Sequence, residues 1–199
     1  MTESIRQRRT IFVAPNTCSK RRRPHRDASA HEAAQPRTES TGDVHGLRIA
    51  ILSTFPPTSC GLATFARDLS ASIVGPGCME VGVIAVARRG DGEPLAAPAV
   101  DDAEECRVFV LAQIDRDDRG SYRDAALVAN RFADVVIIQH EFGIYGGDDG
   151  EHLIELIDAL DVPRIVTLHT VLPSFSPHQV DVLRRVCAQP ALVTVFTPG

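Results

Sequence analysis

Hydrophobic residues follow two alternating patterns along most of the chain. Short, nearly continuous apolar runs predict strands, and they occupy residues 48–53, 81–87, 107–111, 135–138, 165–168 and 192–196. Between these runs, apolar residues recur every three or four positions and predict helices with one buried face. The helical positions are Leu62, Phe65, Ala66, Leu69 and Ile73; Ala125, Val128 and Phe132; Leu153, Leu156, Ile157 and Leu160; and Val180, Leu183 and Cys187. Strands that alternate with helices predict an α/β fold with a doubly wound, mostly parallel, Rossmann-like sheet.

Turn and capping residues mark the ends of several elements. Glycine and proline interrupt regular structure, and a serine before a helical pattern can cap its first turn. A serine followed by proline and, at the third helical position, glutamine matches a capping box. The predicted boundaries, in chain order, are a stop at residues 75–77, an acidic excursion at 88–105, a cap at Ser121, a turn at 146–149, a stop at Pro163 and a capping box at Ser176, Pro177 and Gln179.

Charge divides the chain into a basic first part and an acidic remainder. Residues 1–46 carry nine Lys or Arg against five Asp or Glu, lack hydrophobic periodicity and are predicted to be a disordered tail. Residues 47–199 carry twelve against twenty-one and are predicted to form one α/β domain. An acidic domain is a poor general nucleic-acid binder, so no nucleic acid is expected as a partner. The basic clusters favour a solvated tail, with contact to anionic lipid or nucleic acid as the alternative.

Cysteine usage and hydropathy indicate the compartment. The five cysteines are odd in number, widely spaced and without a C-x-x-C pair, which argues against a disulfide framework and a zinc knuckle. The apolar stretch at residues 11–14 is too short for a signal peptide, and no stretch approaches the length of a transmembrane helix. The chain is therefore predicted to be cytoplasmic, and peripheral contact with the inner face of the membrane stays open.

Two of the predicted strands run into a histidine. Residues 135–138 are followed by Gln-His-Glu-Phe-Gly at 139–143, and residues 165–168 are followed by His-Thr at 169–170. Ligands of open α/β sheets bind outside the carboxyl ends of the strands, and neighbouring parallel strands would bring both imidazoles to that edge. Either histidine alone is as well explained by capping of exposed carbonyl groups or by a hydrogen bond to a neighbouring loop. The pair together favours a binding site.

Common site motifs are missing from the sequence. The loop after the first strand contains one glycine, Gly61, instead of G-x-G-x-x-G, and there is no P-loop, zincin helix or G-x-S-x-G elbow. The amides that open the first helix at residues 61–64 could hold an anion, or the loop is a tight turn that needs small residues. The candidate metal ligands lack ligand spacing, so neither a metal site nor a resident cofactor is predicted. These candidates are His140, Glu141, His152 and His169.

Three segments, taken together, resemble a known family. They are residues 53–65, which begin Ser-Thr-Phe-Pro-Pro and end Gly-Leu-Ala-Thr-Phe, residues 139–143, and residues 167–170 with the sequence Thr-Leu-His-Thr. In order and spacing they resemble the N-terminal domain of retaining GT-B-fold glycosyltransferases of family four. That family includes phosphatidylinositol mannosyltransferases and many bacterial enzymes that use sugar nucleotides. The resemblance covers residues 47–199, and Cys60 stands where the family usually has the first of two glycines.

The resemblance implies roles for particular residues. The domain would bind a hydroxyl-bearing acceptor, which is a sugar, a polyol or a lipid-linked hydroxyl, and the donor would be a nucleotide sugar. His169 would be the catalytic residue, because it would position the reacting hydroxyl and stabilise charge by hydrogen bonding. Gly61 would approach the donor phosphates. The remaining substrate-binding residues would be His140, Glu141, Phe142, Gly143 and Thr170.

The resemblance also implies a partner. Enzymes of this family hold the nucleotide sugar in a second domain, and no sequence for such a domain follows the predicted α/β domain. The chain is therefore expected to be a truncated or split form that is inactive alone and works with a separately encoded donor-binding domain, since orienting donor and acceptor supplies much of the rate. The alternative is a non-catalytic α/β interaction module that keeps the fold and binds a protein partner.

Overall fold

The computed structural model describes residues 46–74, 80–88, 108–188, 190 and 192–196. Its six strands form one sheet in which every neighbouring pair is parallel. The strands are β1 (Arg48–Ser53), β2 (Glu80–Ala87), β3 (Val108–Asp115), β4 (Val135–His140), β5 (Arg164–Leu168) and β6 (Leu192–Val195). Their order across the sheet is β3-β2-β1-β4-β5-β6, which confirms the predicted doubly wound α/β fold.

Helices cover both faces of this sheet. On one face, Ala66 of the first helix packs with Ile51 of β1. On the other face, Leu52 of β1 and Ile138 of β4 pack with residues of the second, third and fourth helices. Burial on both faces explains why the central strands are almost continuously apolar. The helices in the described residues are α1 (Gly61–Ile73), α2 (Arg119–Phe132), α3 (Leu153–Asp158) and α4 (Pro177–Val186), with a short 3₁₀ turn at Asp148–Gly150.

Two strands continue beyond the C-terminal ends of their predicted apolar runs. β4 continues through Gln139 and His140, because these residues pair with Thr167 and Leu168 of β5. β3 extends to Asp115, since an edge strand can leave alternate polar residues half-exposed. In these two strands the hydrophobic run therefore marks only part of the strand.

The predicted N-cap of α4 is confirmed and that of α2 is wrong. The Ser176 hydroxyl accepts from the Gln179 N–H (3.1 Å), and the Gln179 side-chain oxygen accepts from the Ser176 N–H (3.0 Å). In α2 the cap is Asp118, whose carboxylate accepts from the Gly120 N–H (2.9 Å). Ser121 lies inside the first turn, and its hydroxyl donates to the Asp118 carbonyl oxygen (2.7 Å). Both residue types suit an N-cap, so the local sequence alone does not choose between them.

A contact from α2, and not Pro163, ends α3. The helix ends at Asp158, well before the proline. The Asn130 side chain of α2 donates to the Ala159 carbonyl oxygen (2.9 Å) and accepts from the Asp161 N–H (2.8 Å). The expected stop at Pro163 is therefore wrong, because a tertiary hydrogen-bond pair turns the chain earlier.

The inner face of α4 also differs from the prediction. Val182 and Val186 are buried, whereas Val180, Leu183 and Cys187 are only partly buried. Apolar residues form two overlapping stripes on this helix. Its packing against α3 buries the stripe that carries Val182 and Val186.

Three predictions concern residues outside the described part of the chain. They are the disordered tail at 1–46, of which only Gly46 is described, the stop at 75–77, and the excursion at 88–105, of which only residue 88 is described. Within the described ranges, every helix is too short or too polar to cross a membrane.

Candidate ligand-binding site

The connections of the sheet reverse direction between β1 and β4. From β1 the chain leads to β2 and β3 on one side, and then crosses to β4 and β5 on the other. Open α/β sheets bind ligands in the crevice outside the carboxyl ends of the strands at such a point. Ser53 ends β1, His140 ends β4, and His169 directly follows β5. Because β4 and β5 are parallel neighbours, both histidines lie at the same edge of the sheet, as predicted.

His169 is held on several sides at this edge. Its backbone N–H donates to the His140 carbonyl oxygen (3.0 Å). Its ring nitrogen Nε2 lies 2.6 Å from Oε1 of Gln139. The ring meets Phe65 of α1 edge-on, with centroids 4.9 Å apart, and lies 5.1 Å from the ring of Phe196. The half-buried imidazole therefore has a fixed orientation.

The electrostatic environment keeps His169 neutral. Partial burial lowers its pKa below 6.5, because desolvation disfavours the imidazolium form, and the Glu141 carboxylate opposes this shift. At neutral pH the ring therefore carries one proton and offers one donor and one acceptor.

His140 occupies a different environment from His169. Its side chain has no exposed surface and lies against Phe142 (ring centroids 5.1 Å apart) and Tyr145 (6.3 Å). Burial, and after it repulsion from His169, lowers the pKa of His140 from 6.5 to about 4. Neither of its ring nitrogens has a hydrogen-bond partner among the described residues. His140 is therefore a buried neutral imidazole behind the rim of the crevice.

A row of polar residues crosses the sheet beside His169. Gln139 of β4 pairs with Thr167 of β5, which pairs with Thr194 of β6. Ser53 of β1 lies one position beyond the pairing of Leu52 with Ile138, so it falls beside Gln139 on the same face. The Thr194 hydroxyl donates to that of Thr167 (2.9 Å).

Two members of this row each bury one side-chain atom that has no hydrogen-bond partner in the described residues. Ser53 and Gln139 have no exposed surface, and neither Ser53 Oγ nor Gln139 Nε2 has a partner in the described part of the chain. An unsatisfied buried polar atom costs about 1–3 kcal/mol, so both atoms favour an added polar partner. Sequence reasoning missed Ser53 and the role of Gln139, since only strand register places them together. The available signal was the polar residue at the end of each of two apolar runs, Ser53 after residues 49–52 and Gln139 after residues 135–138.

The other predicted residues lie around this centre. Glu141 acts on His169 through its charge, and Phe142 packs against His140 and the ring of Phe175 (6.1 Å). Three predicted residues lie further out and form no hydrogen bond to either histidine in the described ranges. Gly61 is exposed at the start of α1, Gly143 is exposed in the turn after β4, and Thr170 is half-buried directly after His169.

The start of α1 faces the same crevice. Cys60 is its N-cap, with Sγ accepting from the Ala63 N–H (3.4 Å) and lying 3.2 Å from the Thr54 hydroxyl. The Thr64 N–H is bonded to the Cys60 carbonyl oxygen (3.2 Å). The N–H groups of Gly61 and Leu62 therefore have no protein partner in the described ranges. A side chain at Gly61 would meet nothing within 4 Å, so the fold itself does not require a glycine there.

The polar row offers neutral hydrogen-bonding groups, and the Glu141 carboxylate is a charged group beside it. Within the described ranges, no group of three or more His, Cys, Asp or Glu side chains could hold a metal ion. This edge of the sheet therefore presents the half-buried imidazole of His169, flanked by aromatic rings, with the buried Ser53 and Gln139 directly behind it. Comparisons of the chain with protein-family models, with curated proteins and with solved structures found no match.

Proposed function

We propose that this domain binds a hydroxyl-bearing acceptor in the crevice at the ends of β1, β4 and β5. We further propose that it is the acceptor-binding half of a retaining glycosyltransferase whose donor is a nucleotide sugar. The observation that carries the binding proposal is the pair of buried, unpartnered polar atoms of Ser53 and Gln139 beside a neutral His169. The sequence segments that resemble family-four enzymes support the assignment to sugar transfer.

Neutral hydrogen-bonding groups match the chemistry of sugars and polyols. Each ligand hydroxyl both donates and accepts, so it can pair with a serine hydroxyl, an amide N–H and an imidazole nitrogen. A charged ligand head would gain little from the uncharged groups of this row. Phe65 and Phe196 flank His169 and offer apolar surface to the C–H groups of a ring or chain.

Sugar transfer would place distinct demands on the two ends of the crevice. His169 would orient the attacking acceptor hydroxyl and stabilise charge by hydrogen bonding. The free amides at Gly61 and Leu62 would face the donor phosphates, since a helix N-terminus favours anions. The nucleotide sugar itself would be held by a second domain, as in the enzymes the chain resembles, so transfer would require that domain in addition.

The binding proposal can be tested by the affinity of the full chain for simple hydroxyl ligands. We expect myo-inositol, glucose and glucose 1-phosphate to include at least one binder, measured by calorimetric titration. His169→Ala should weaken that binding about tenfold, because one hydrogen bond to a ligand in a sheltered site is worth about 1 kcal/mol or slightly more. The matched control is Arg185→Ala, since Arg185 is exposed in the last turn of α4 and bonded to Asp158 (3.0 Å) at the end of α3, at the opposite edge of the sheet from the crevice. Equal affinity in wild type and His169→Ala would contradict the proposal.

One observation favours the alternative of an interaction module. Among the described strands β6 lies at an edge of the sheet, and it and the residue after it expose large apolar side chains, including Leu192 at 53%, Val195 at 47% and Phe196 at 58%. Apolar residues on an unpaired strand edge are typical of a surface that pairs with another chain. Leu192→Lys separates the two functions, because it should abolish binding to a protein partner and leave the affinity for a hydroxyl ligand unchanged.

A further inference from the structure

The contact between Gln139 and His169 joins a fully buried side chain to a half-buried one. Gln139 Oε1 lies 2.6 Å from His169 Nε2, and the carbonyl oxygen of Gln139 accepts from the hydroxyl of Tyr145 (2.7 Å). Gln139 has no exposed surface, so its backbone and side chain are both fixed by the protein interior. The amide is oriented with Oε1 toward the ring, and an amide oxygen can only accept a hydrogen bond, so in this orientation the imidazole nitrogen facing it carries the hydrogen.

The position of that hydrogen determines what His169 can offer a ligand. In a neutral imidazole only one nitrogen is protonated, and a proton on Nε2 leaves a lone pair on Nδ1. In the described part of the chain no hydrogen bond reaches Nδ1, and the ring is flanked by the aromatic rings of Phe65 and Phe196. The one remaining polar atom of the side chain is therefore an acceptor.

We propose that Gln139 is a positioning residue that holds His169 in the Nε2–H tautomer, so that Nδ1 accepts a hydrogen bond from a ligand hydroxyl. The tautomer follows from the protein alone, whereas the identity of the group at Nδ1 rests on the proposed function. This tautomer selects ligands by chemistry, because a hydroxyl can donate to Nδ1 and a carboxylate or a phosphate dianion cannot. In sugar transfer, this hydrogen bond would orient the acceptor oxygen.

The tautomer can be measured directly in the absence of ligand. Long-range ¹H–¹⁵N correlation spectra of the labelled full chain distinguish protonated from unprotonated ring nitrogens, and the His169→Ala spectrum assigns the signals. We expect wild-type His169 to carry its proton on Nε2. Gln139→Met should remove this preference and give a mixture of tautomers. A wild-type ring protonated on Nδ1, or an unchanged tautomer in Gln139→Met, would overturn the proposal.

Two further variants separate positioning from folding. Thr167→Val removes a hydroxyl from the same polar row without touching His169, and it should leave the tautomer unchanged. Gln139→Glu keeps an acceptor at the same place, so it should preserve the Nε2–H tautomer and raise the pKa of His169 measured by the same spectra. If Gln139→Met does not fold, the Gln139→Glu variant is sufficient alone. An unchanged pKa of His169 in that variant would contradict a hydrogen bond between residue 139 and the imidazole.

Ligand addition tests the second half of the proposal. A hydroxyl ligand that binds the crevice should shift the ¹⁵N resonance of Nδ1 and leave that of Nε2 nearly unchanged. A bound ligand without any response at Nδ1 would overturn the acceptor role of that nitrogen. If the free His169 ring is protonated on Nδ1 but its ¹⁵N resonances still shift when the ligand binds, the positioning role of Gln139 is overturned and the proposed binding function stands.

Discussion

Gln139 and His140 are consecutive in β4, yet their side chains enter opposite faces of the sheet. Gln139 reaches His169 on the α1 face, whereas His140 lies against Tyr145 on the face covered by the other helices. A buried polar side chain is costly unless it is paired or has a function. Gln139 has a partner at the site, whereas His140 is kept neutral by burial. The two residues should therefore respond very differently to substitution.

Burial of His140 predicts a specific pH dependence of stability. The unfolded chain takes up a proton on this imidazole below pH 6.5, and the folded chain does so only near pH 4. The contribution is therefore fully present above pH 6.5 and is lost as the pH falls toward 4, by about 3 kcal/mol in all. His140→Leu should flatten the curve of unfolding free energy against pH in this window, measured by urea denaturation. At neutral pH the variant should be about as stable as wild type, because leucine leaves no unpartnered nitrogen.

The matched control for this prediction is His178→Gln. Hydrogen bonding to Asp149 raises the pKa of the exposed His178, so its contribution is present at low pH and is lost as the pH rises. His178→Gln should therefore not reduce the loss of unfolding free energy between pH 6.5 and pH 4. If His140→Leu kept the full wild-type slope between pH 6.5 and pH 4, the buried imidazole would not be its source.

The loop after β4 is tied to the turn after β3 by a set of hydrogen bonds. The Gly146 N–H donates to the Tyr122 hydroxyl (2.9 Å), which donates to the Arg116 carbonyl oxygen (3.0 Å). The Arg116 guanidinium donates to the Tyr145 carbonyl oxygen (3.2 Å). These contacts hold the segment that carries Phe142 at the rim of the crevice.

Two glycines in this loop make a matched pair of substitutions. A Cβ at Gly146 would overlap the Arg116 carbonyl oxygen and crowd His152, whereas a Cβ at Gly143 would meet nothing within 4 Å. Gly146→Ala should therefore lower the free energy of unfolding by about 3 kcal/mol, and Gly143→Ala should change it by less than about 0.5 kcal/mol. Urea denaturation of the two variants checks this. Similar stability of both would mean that the loop does not pack against the turn as described.

Local signals predict some elements well and others poorly. The capping box at Ser176 was recognisable because all of its hydrogen bonds lie within four residues of sequence. The end of α3 was not, because it depends on Asn130 of another helix. The length of β4 was underestimated, since Gln139 and His140 are polar and join the strand only through pairing with β5. Sequence patterns capture short-range structure and miss what distant contacts decide.

The whole sheet brings together what the sequence keeps apart. Strand order places Ser53 beside Gln139, although more than eighty residues separate them along the chain. The fold class and the two strand-end histidines could be predicted from hydrophobic patterns. The polar row could not, because a register is needed to know which side chains share a face. The same order explains why a binding site is expected at one edge of the molecule and not on its helices.

The central claim is that a hydroxyl ligand binds at the carboxyl ends of β1, β4 and β5, and the position of the bound ligand tests it most directly. Amide chemical-shift changes in the ¹⁵N-labelled full chain should be mapped during titration with myo-inositol, glucose and glucose 1-phosphate. We expect the changes to cluster at the carboxyl ends of β1, β4 and β5, with the largest at Ser53, Gln139 and His169. Changes confined to β6 or to the outer surfaces of the helices, or none with any of these ligands while a protein partner binds elsewhere, would contradict a hydroxyl-binding site in the crevice.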